Sequence, residues 1–267
     1  MNDAIFEREG DAFIPTENAL SPWGSQYLHG GSAAALLAYG IEQAKADPSL
    51  MVTRMTIDLF RAVPRAPLRI ETTPVRTGRR IQSLITSLIA DGSEVARATT
   101  LLLLPAEVAI GDTEGIAHAM PERPENLPAG SLLPDDMRMS MRVGLHMIVE
   151  ARRVIEYTGG RGGRSIAWLR FPIPVIDGVE TTPLMRVAAT ADFANGISHI
   201  RPSDSLGFIN ADISLHLHRE ARGEWIGLDV TSGAQPYGIG MVRGTMFDTE
   251  GPIGIVTEAL LANRRPI

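Results

Sequence analysis

The sequence predicts an α+β chain that uses one architecture twice: a curved antiparallel sheet wrapped around a single apolar helix. Three observations predict it. Two strand-like runs, Met55-Thr56-Ile57-Asp58-Leu59-Phe60-Arg61 and Ile213-Ser214-Leu215-His216-Leu217-His218-Arg219, alternate in the same way and both end in Arg, 158 residues apart (219 − 61). Two acidic-Gly pairs, Asp91-Gly92 and Glu250-Gly251, each precede an apolar run (Val95 to Leu104, Ile253 to Leu261) at an offset of 159 (251 − 92). Each half also reads as one helix followed by four strands. Matches in order at nearly one offset are what a duplicated unit of about half the chain leaves behind.

Taken in order, the first half opens on a strand over Phe13 to Leu20, followed by the turn residues Ser21-Pro22-Trp23-Gly24. Gly30-Gly31-Ser32 then leads an Ala/Leu-rich run from Ala33 to Ala46, rich in strong helix formers, with Ser32 as N-cap and Asp47-Pro48 as the stop. Ala33, Leu36, Leu37, Gly40, Ile41 and Ala44 recur at helical spacing, and nearly every residue before Glu42 is apolar, so this helix is expected to be buried on most sides. Strands follow at 52–60, 67–76, 80–90 and 94–104, punctuated by Pro64-Arg65-Ala66-Pro67, Thr77-Gly78 and Asp91-Gly92. The run from Arg80 to Ile89 departs from strict alternation, which points to a bulge.

Residues 105–136 are rich in Pro, Gly, Asp and Glu and have no periodicity, the mark of a connecting segment. The chain is therefore divided into a first unit at 1–108, a linker at 109–138 and a second unit at 139–267. In the second unit, Leu145 to Glu156 and Ser165 to Ile173 read as strands around the Gly-rich turn at 158–163. Thr182-Pro183 reads as an N-cap with Pro at the first helical position, and Asn195-Gly196 ends a helix running to about Phe193. Strands at 208–218, 224–232, 238–248 and 253–262 repeat the earlier outline. This is the shape of a tandem, or double, hotdog.

Composition narrows the function. The chain has 267 residues, 44% of them hydrophobic and 21% charged, with a net charge of −6. That balance is globular and argues against nucleic acid or an anionic membrane as the main partner. There is no cysteine, which excludes disulfides, thiolate catalysis and Cys-based zinc sites and fits a reducing interior. No apolar run reaches membrane-spanning length, and the acidic start MNDAIFEREGDAF lacks the features of a secretory signal, so a soluble cytoplasmic protein is expected.

Nucleophile-elbow, His-Glu-x-x-His, phosphate-loop and dinucleotide motifs are absent from the sequence. His29-Gly30-Gly31 lets a substrate group approach backbone N–H groups at a helix start, where donors and dipole hold an oxyanion; the same glycines also suit a tightly turning loop. His216 and His218 alternate on one strand face with Asn210, Asp212 and Ser214; a third metal ligand beyond Asp212 is lacking, so a polar sheet face is the reading and no metal is expected. Asp192 stands in the last turn of an apolar helix, opposing its dipole at a cost of about 0.3–1 kcal/mol. Burial there would raise its pKa toward that of a general base, while an exposed Asp bonding the helix end is the alternative. Glu258 lies in the strongly apolar last strand, and the offset of 159 makes Thr99 its counterpart.

At this point the chain resembles acyl-CoA thioesterases of the double-hotdog, thioesterase II-like type. In the first half the resemblance rests on His29 to Leu37, Thr56 to Pro64 and Gly78 to Gln82. In the second it rests on Ala191 to Gly196, Phe208 to Asp212, Leu215 to Glu220 and Gly223 to Asp229. It implies hydrolysis of an acyl-CoA thioester without a cofactor, by water held between an Asp, a hydroxyl and a Gln. The Asp falls on Asp192, the hydroxyl position on Asn210, and the Gln at or beside Glu258, so two of the three depart from the pattern. Gly30 and Gly31 would stabilise the oxyanion. Acyl-CoA binding without turnover and an enoyl-CoA hydratase or dehydratase are the competing readings; a homo-oligomer is left open.

Overall fold

The computed structural model describes residues 4–22, 24–109, 118–132, 143–156, 162–203 and 206–264. The first half contributes β1 (Phe6–Glu9), β2 (Ala12–Pro15), a short hairpin of β3 (Leu20–Ser21) and β4 (Gly24–Leu28), helix α1 (Gly30–Gln43), β5 (Met51–Leu59), β6 (Leu68–Thr77), β7 (Ile81–Ala90) and β8 (Ser93–Leu103). The second contributes a helical turn α2 (Leu145–Ile148), β9 (Glu150–Ile155), β10 (Arg164–Arg170), α3 (Pro183–Ala191), α4 (Phe193–Ile197), β11 (Leu206–Asn210), β12 (Asp212–Leu217), β13 (Ile226–Ala234), β14 (Ile239–Asp248) and β15 (Gly251–Arg264). One continuous sheet runs β1-β2-β6-β7-β8-β5-β12-β15-β14-β13-β10-β9, with β11 added on β15. Read outward from the β5–β12 seam, both halves give the same strand order, and the fold is a double hotdog.

The seam explains the repeat. The two matched runs are β5 and β12, and they pair antiparallel, Ile57 with Ile213, Thr56 with Ser214 and Met55 with Leu215. Thr56 and Ser214 are themselves counterparts, 158 apart, and Ser214 Oγ donates to Thr56 Oγ1 at 3.3 Å. A pseudo-twofold axis therefore passes between them. Register carries the same offset outward: Thr56 faces Thr99 as Ser214 faces Thr257, and Ala90 faces Ser93 as Asp248 faces Gly251. The acidic-Gly match at 159 is thus one residue out of step. Asp91 (φ 49°) and Gly92 (φ 71°) are the two central residues of a tight hairpin, where positive φ is needed, whereas Gly251 already belongs to β15. The structural counterpart of Glu258 is Thr100, not Thr99.

The helices α1 and α3 pack against each other in opposite directions: the start of α1 meets the end of α3, and the end of α1 meets the start of α3. Buried residues run from Gly31 through Ala38 and include Gly40 and Ile41, as the all-round apolar pattern implies. Burial of side chains such as Leu36 and Leu37 contributes about 1.5–3 kcal/mol each. The helix begins earlier than the sequence suggests, with His29 as the cap, because Ser32 Oγ donates instead to the Ala19 carbonyl at 3.0 Å. Its far end is closed by the buried Gln82 side chain, which accepts from Ala46 N and donates to Ala44 O, both at 3.0 Å. Gln82 and Thr86 are inward-facing polar residues on β7, which is why the alternation there looks broken; a register shift does occur, at Leu88/Ile89.

Other boundaries also move. The chain opens on β1, ahead of the strand expected over Phe13 to Leu20, which is only Ala12–Pro15 and is followed by a 3-10 turn over Glu17–Ala19. The strand expected from Leu145 begins as the turn α2, and the Gly-rich turn at 158–163 falls largely outside the described residues. The strand expected at 208–218 is broken at Ala211, whose N–H donates to Ala259 O at 2.9 Å. Part of the connecting stretch packs on the second half: Trp168 Nε1 donates to Glu122 O at 2.9 Å, His118 stacks on Phe247 and Arg153 donates to the Ser131 and Leu132 carbonyls. Among the described residues no helix is long and apolar enough to cross a membrane.

Candidate active site

Where the start of α1 meets the end of α3, four sequence-selected residues come together around Asp192. Its side chain is buried, and one oxygen, Oδ1, accepts from Asn210 Nδ2 at 2.8 Å. The other, Oδ2, accepts from Gly31 N at 2.7 Å and lies 2.7 Å from His29 Nδ1. A nitrogen lone pair would repel a carboxylate at that distance, so Nδ1 carries the proton, and its 3.1 Å approach to Gly31 N is proximity rather than acceptance.

The dipole argument then resolves. Asp192 opposes the C-terminal end of its own helix, but it faces the N-terminal end of the antiparallel neighbour, where free N–H groups and the positive dipole end favour a negative charge. Burial pushes its pKa up, but the charge and hydrogen bond of His29, the Asn210 amide and the Gly31 N–H together outweigh it and hold the carboxyl below its ordinary range. This is the reverse of the upward shift expected from burial alone.

Gly30 has no room for a side chain because the carboxylate sits against it, and Gly31 has none because the backbone of α3 does. A Cβ on Gly30 would lie 2.8 Å from Asp192 Cγ, and one on Gly31 would lie 2.6 Å from the Ala189 carbonyl. The Gly31 N–H, expected to serve an oxyanion, is instead engaged by Asp192.

Glu258 completes the site. It points inward from β15 with 1% of its surface exposed, and neither carboxyl oxygen has a hydrogen-bond partner. Burial first, then the neighbouring Asp192 and Asp212 charges, push its pKa well above the carboxylate range. Asn195, at the base of the same site, donates from its side chain to Phe208 O at 3.0 Å and leaves its own Oδ1 buried without a donor.

Two residues join the site that carry no role of their own in the sequence reading: His29, named only with its glycines, and His146. His29 caps α1 and stacks on Phe193 with ring centroids 4.5 Å apart. His146 on α2 is buried behind it, 6.4 Å from the His29 ring, with its pKa lowered to about 4 by burial and by the His29 charge. The adjacent glycines were the available signal for His29; His146 gave none, since a chain segment remote in sequence brings it there. The outward-facing His216 and His218 are exposed, and among the described residues no three His, Asp or Glu side chains are grouped to hold a metal.

Fold and site together define a double-hotdog protein with a polar centre around Asp192 at the helix-pair interface. The profile of the acyl-CoA thioesterase N-terminal domain matches residues 19–103, and that of the C-terminal domain matches residues 121–262. The chain belongs to the acyl-CoA thioesterase family. Solved structures share the fold along the whole length. A putative thioesterase from Novosphingobium aromaticivorans is 22% identical, with 96% of this chain and 98% of that one covered at a TM-score of 0.68. A putative thioesterase II from Thermobifida fusca is 13% identical, with 98% and 96% covered at 0.73. An acyl-CoA thioesterase II from Mycobacterium marinum is 16% identical, with 97% and 94% covered at 0.65. No curated protein sequence matches.

Proposed function

We propose that the chain hydrolyses acyl-CoA thioesters, with a water molecule held between Asp192, Asn210 and Glu258. The observation that supports this best is the Asp192 carboxylate itself, buried yet kept ionised by His29, Gly31 and Asn210. In this reading the water attacks the thioester carbonyl and gives its proton to Asp192. The Gly30 N–H at the start of α1 stabilises the developing oxyanion, and collapse of the tetrahedral intermediate breaks the C–S bond and releases CoA thiolate. A carboxylate held low in pKa is a modest base, but the activated thioester and its good leaving group demand little of it. Asn210 serves in place of a hydroxyl, with one amide hydrogen committed to Asp192 and its carbonyl left to accept from water.

Thiol release from acyl-CoA substrates of graded chain length tests this. Hydrolysis by the wild type and its loss in Asp192→Asn are expected. Binding without thiol release, a change in enoyl absorbance without thiol, or an Asp192→Asn variant of wild-type rate would each overturn it.

A further inference from the structure

Glu258 stands in a place where an ionised carboxylate has no means of support. Among the described residues neither oxygen has a hydrogen-bond partner, and both are sealed from solvent. The charged groups facing it are both acids: Asp192 from the α3–α4 junction and Asp212 from the start of β12. Opposite it on β14 is Val242, and the approach of the Asn195 backbone N–H, which favours the charged form, is the smallest of the influences on it. Burying an isolated carboxylate is costly, and two adjacent carboxyls relieve the cost by keeping one proton between them. In the resting site three donors hold the charge on Asp192, whereas no side chain donates to Glu258, so the shared proton rests on Glu258.

We propose that Glu258 works as a neutral carboxylic acid, positioning the hydrolytic water with one donor and one acceptor as an amide side chain would. This rests on the hydrolytic reading above for its water, though not for its proton. The neutral form gives Glu258 an O–H to donate and a carbonyl to accept, so it sits beside the Asp192 charge without repulsion. The site thereby divides its labour: one carboxyl charged, one not, set apart by their surroundings.

The wild-type protein and Glu258→Gln are compared by infrared difference spectroscopy at neutral pH. The expected result is a carboxylic-acid C=O band in the wild type that is missing in Glu258→Gln. A carboxylate band in its place overturns the proposal, whether or not the protein turns over acyl-CoA. Thiol release supplies the second readout. Glu258→Gln is expected to keep activity within a few-fold, and Glu258→Met to lose about a hundredfold through a misplaced water. The wild type should lose rate as pH rises through the titration of Glu258, and that alkaline limb should vanish in Glu258→Gln. A Glu258→Gln variant as inactive as Glu258→Met, with both folded by circular dichroism, overturns the proposal; no thiol release from the wild type, with the acid band present, overturns only the hydrolytic reading.

Discussion

At one end of the helix pair the Asp192 carboxylate, closing α3, reaches the cap of α1. At the other end Glu42, in the last turn of α1, reaches the cap of α3 and accepts from Thr182 Oγ1 at 2.6 Å. The pseudo-twofold axis makes these two ends the same place in the fold, and each carboxyl satisfies the start of the opposing helix. Yet their pKa values move apart. Glu42 is pushed up, chiefly by burial, which its single hydroxyl partner does not offset. Asp192 is pulled down by His29, the Asn210 amide and the Gly31 backbone N–H. The surroundings differ in the same sense: Val52 stands where Asn210 stands, at the offset of 158, and Thr100 where Glu258 stands. The Glu42 end encloses a cavity of only about 30 Å³, bordered by Val52, Pro183, Val187 and Arg219. A helix-cap contact between carboxyl and opposing helix belongs to the fold; the second copy alone adds the charge-holding partners that make it a candidate for chemistry.

That comparison breaks most directly at the two carboxyls. Asp192→Asn should lower turnover by about 10²–10⁴-fold, the range for loss of a general base, while Glu42→Gln should leave thiol release unaltered. If both variants lose activity together, the ends are functionally equivalent and the asymmetry drawn here is wrong.

The matched arginines offer a structural version of the same test. Arg61 donates to the Glu94 carbonyl at an exposed position, whereas Arg219 binds the fully buried Asp248 through two hydrogen bonds and also reaches the Pro252 and Gly251 carbonyls. Removing one partner of a buried ion pair typically costs about 3–5 kcal/mol, so Arg219→Ala should lose that much in urea denaturation. Arg61→Ala should stay within about 0.5 kcal/mol of wild type. Equal losses would show that the repeat preserves energetics as well as shape.

How much of this was legible beforehand follows from what repeats and what does not. Alternating strands, the apolar helix and the terminal arginines are periodic, local signals, and the double-hotdog fold class followed from them. Asp192 and Glu258 stood out because carboxyls in apolar runs conflict with their surroundings. The offset of 159 misled because Asp-Gly and Glu-Gly look alike in sequence but occupy different hairpin positions. His146 was invisible, since its meeting with His29 depends on tertiary packing alone. The contacts of 118–132 with the second half of the sheet lead us to propose that the second unit begins near residue 118 rather than 139.

His146 supplies an acid-side prediction confined to the Asp192 end. Its folded pKa of about 4 lies below the ordinary 6.5, so the unfolded chain binds more protons between those values. Stability from this residue is therefore intact above pH 6.5 and drains away as pH falls toward 4, by about 3 kcal/mol in all. His146→Phe should flatten the urea midpoint over that window. A midpoint that falls equally steeply in the variant would place the acid sensitivity elsewhere.

The finest test is Gly30→Ala. Alanine is the better helix former by about 1 kcal/mol, but its Cβ would press on the Asp192 carboxylate, at 2.8 Å from Cγ. Overpacking of that kind typically costs about 1–3 kcal/mol, so the urea midpoint should fall by an amount equivalent to at most about 2 kcal/mol. Activity should not be spared, because the carboxylate can yield only by giving up its bonds to Gly31 and Asn210. At the other end the corresponding first helical residue is Pro183, which already carries a ring beside Glu42, and Pro183→Ala should leave turnover unaltered. A Gly30→Ala protein with wild-type turnover would mean that the position of Asp192 does not matter to the reaction, and the contrast between the two ends would reduce to one of packing.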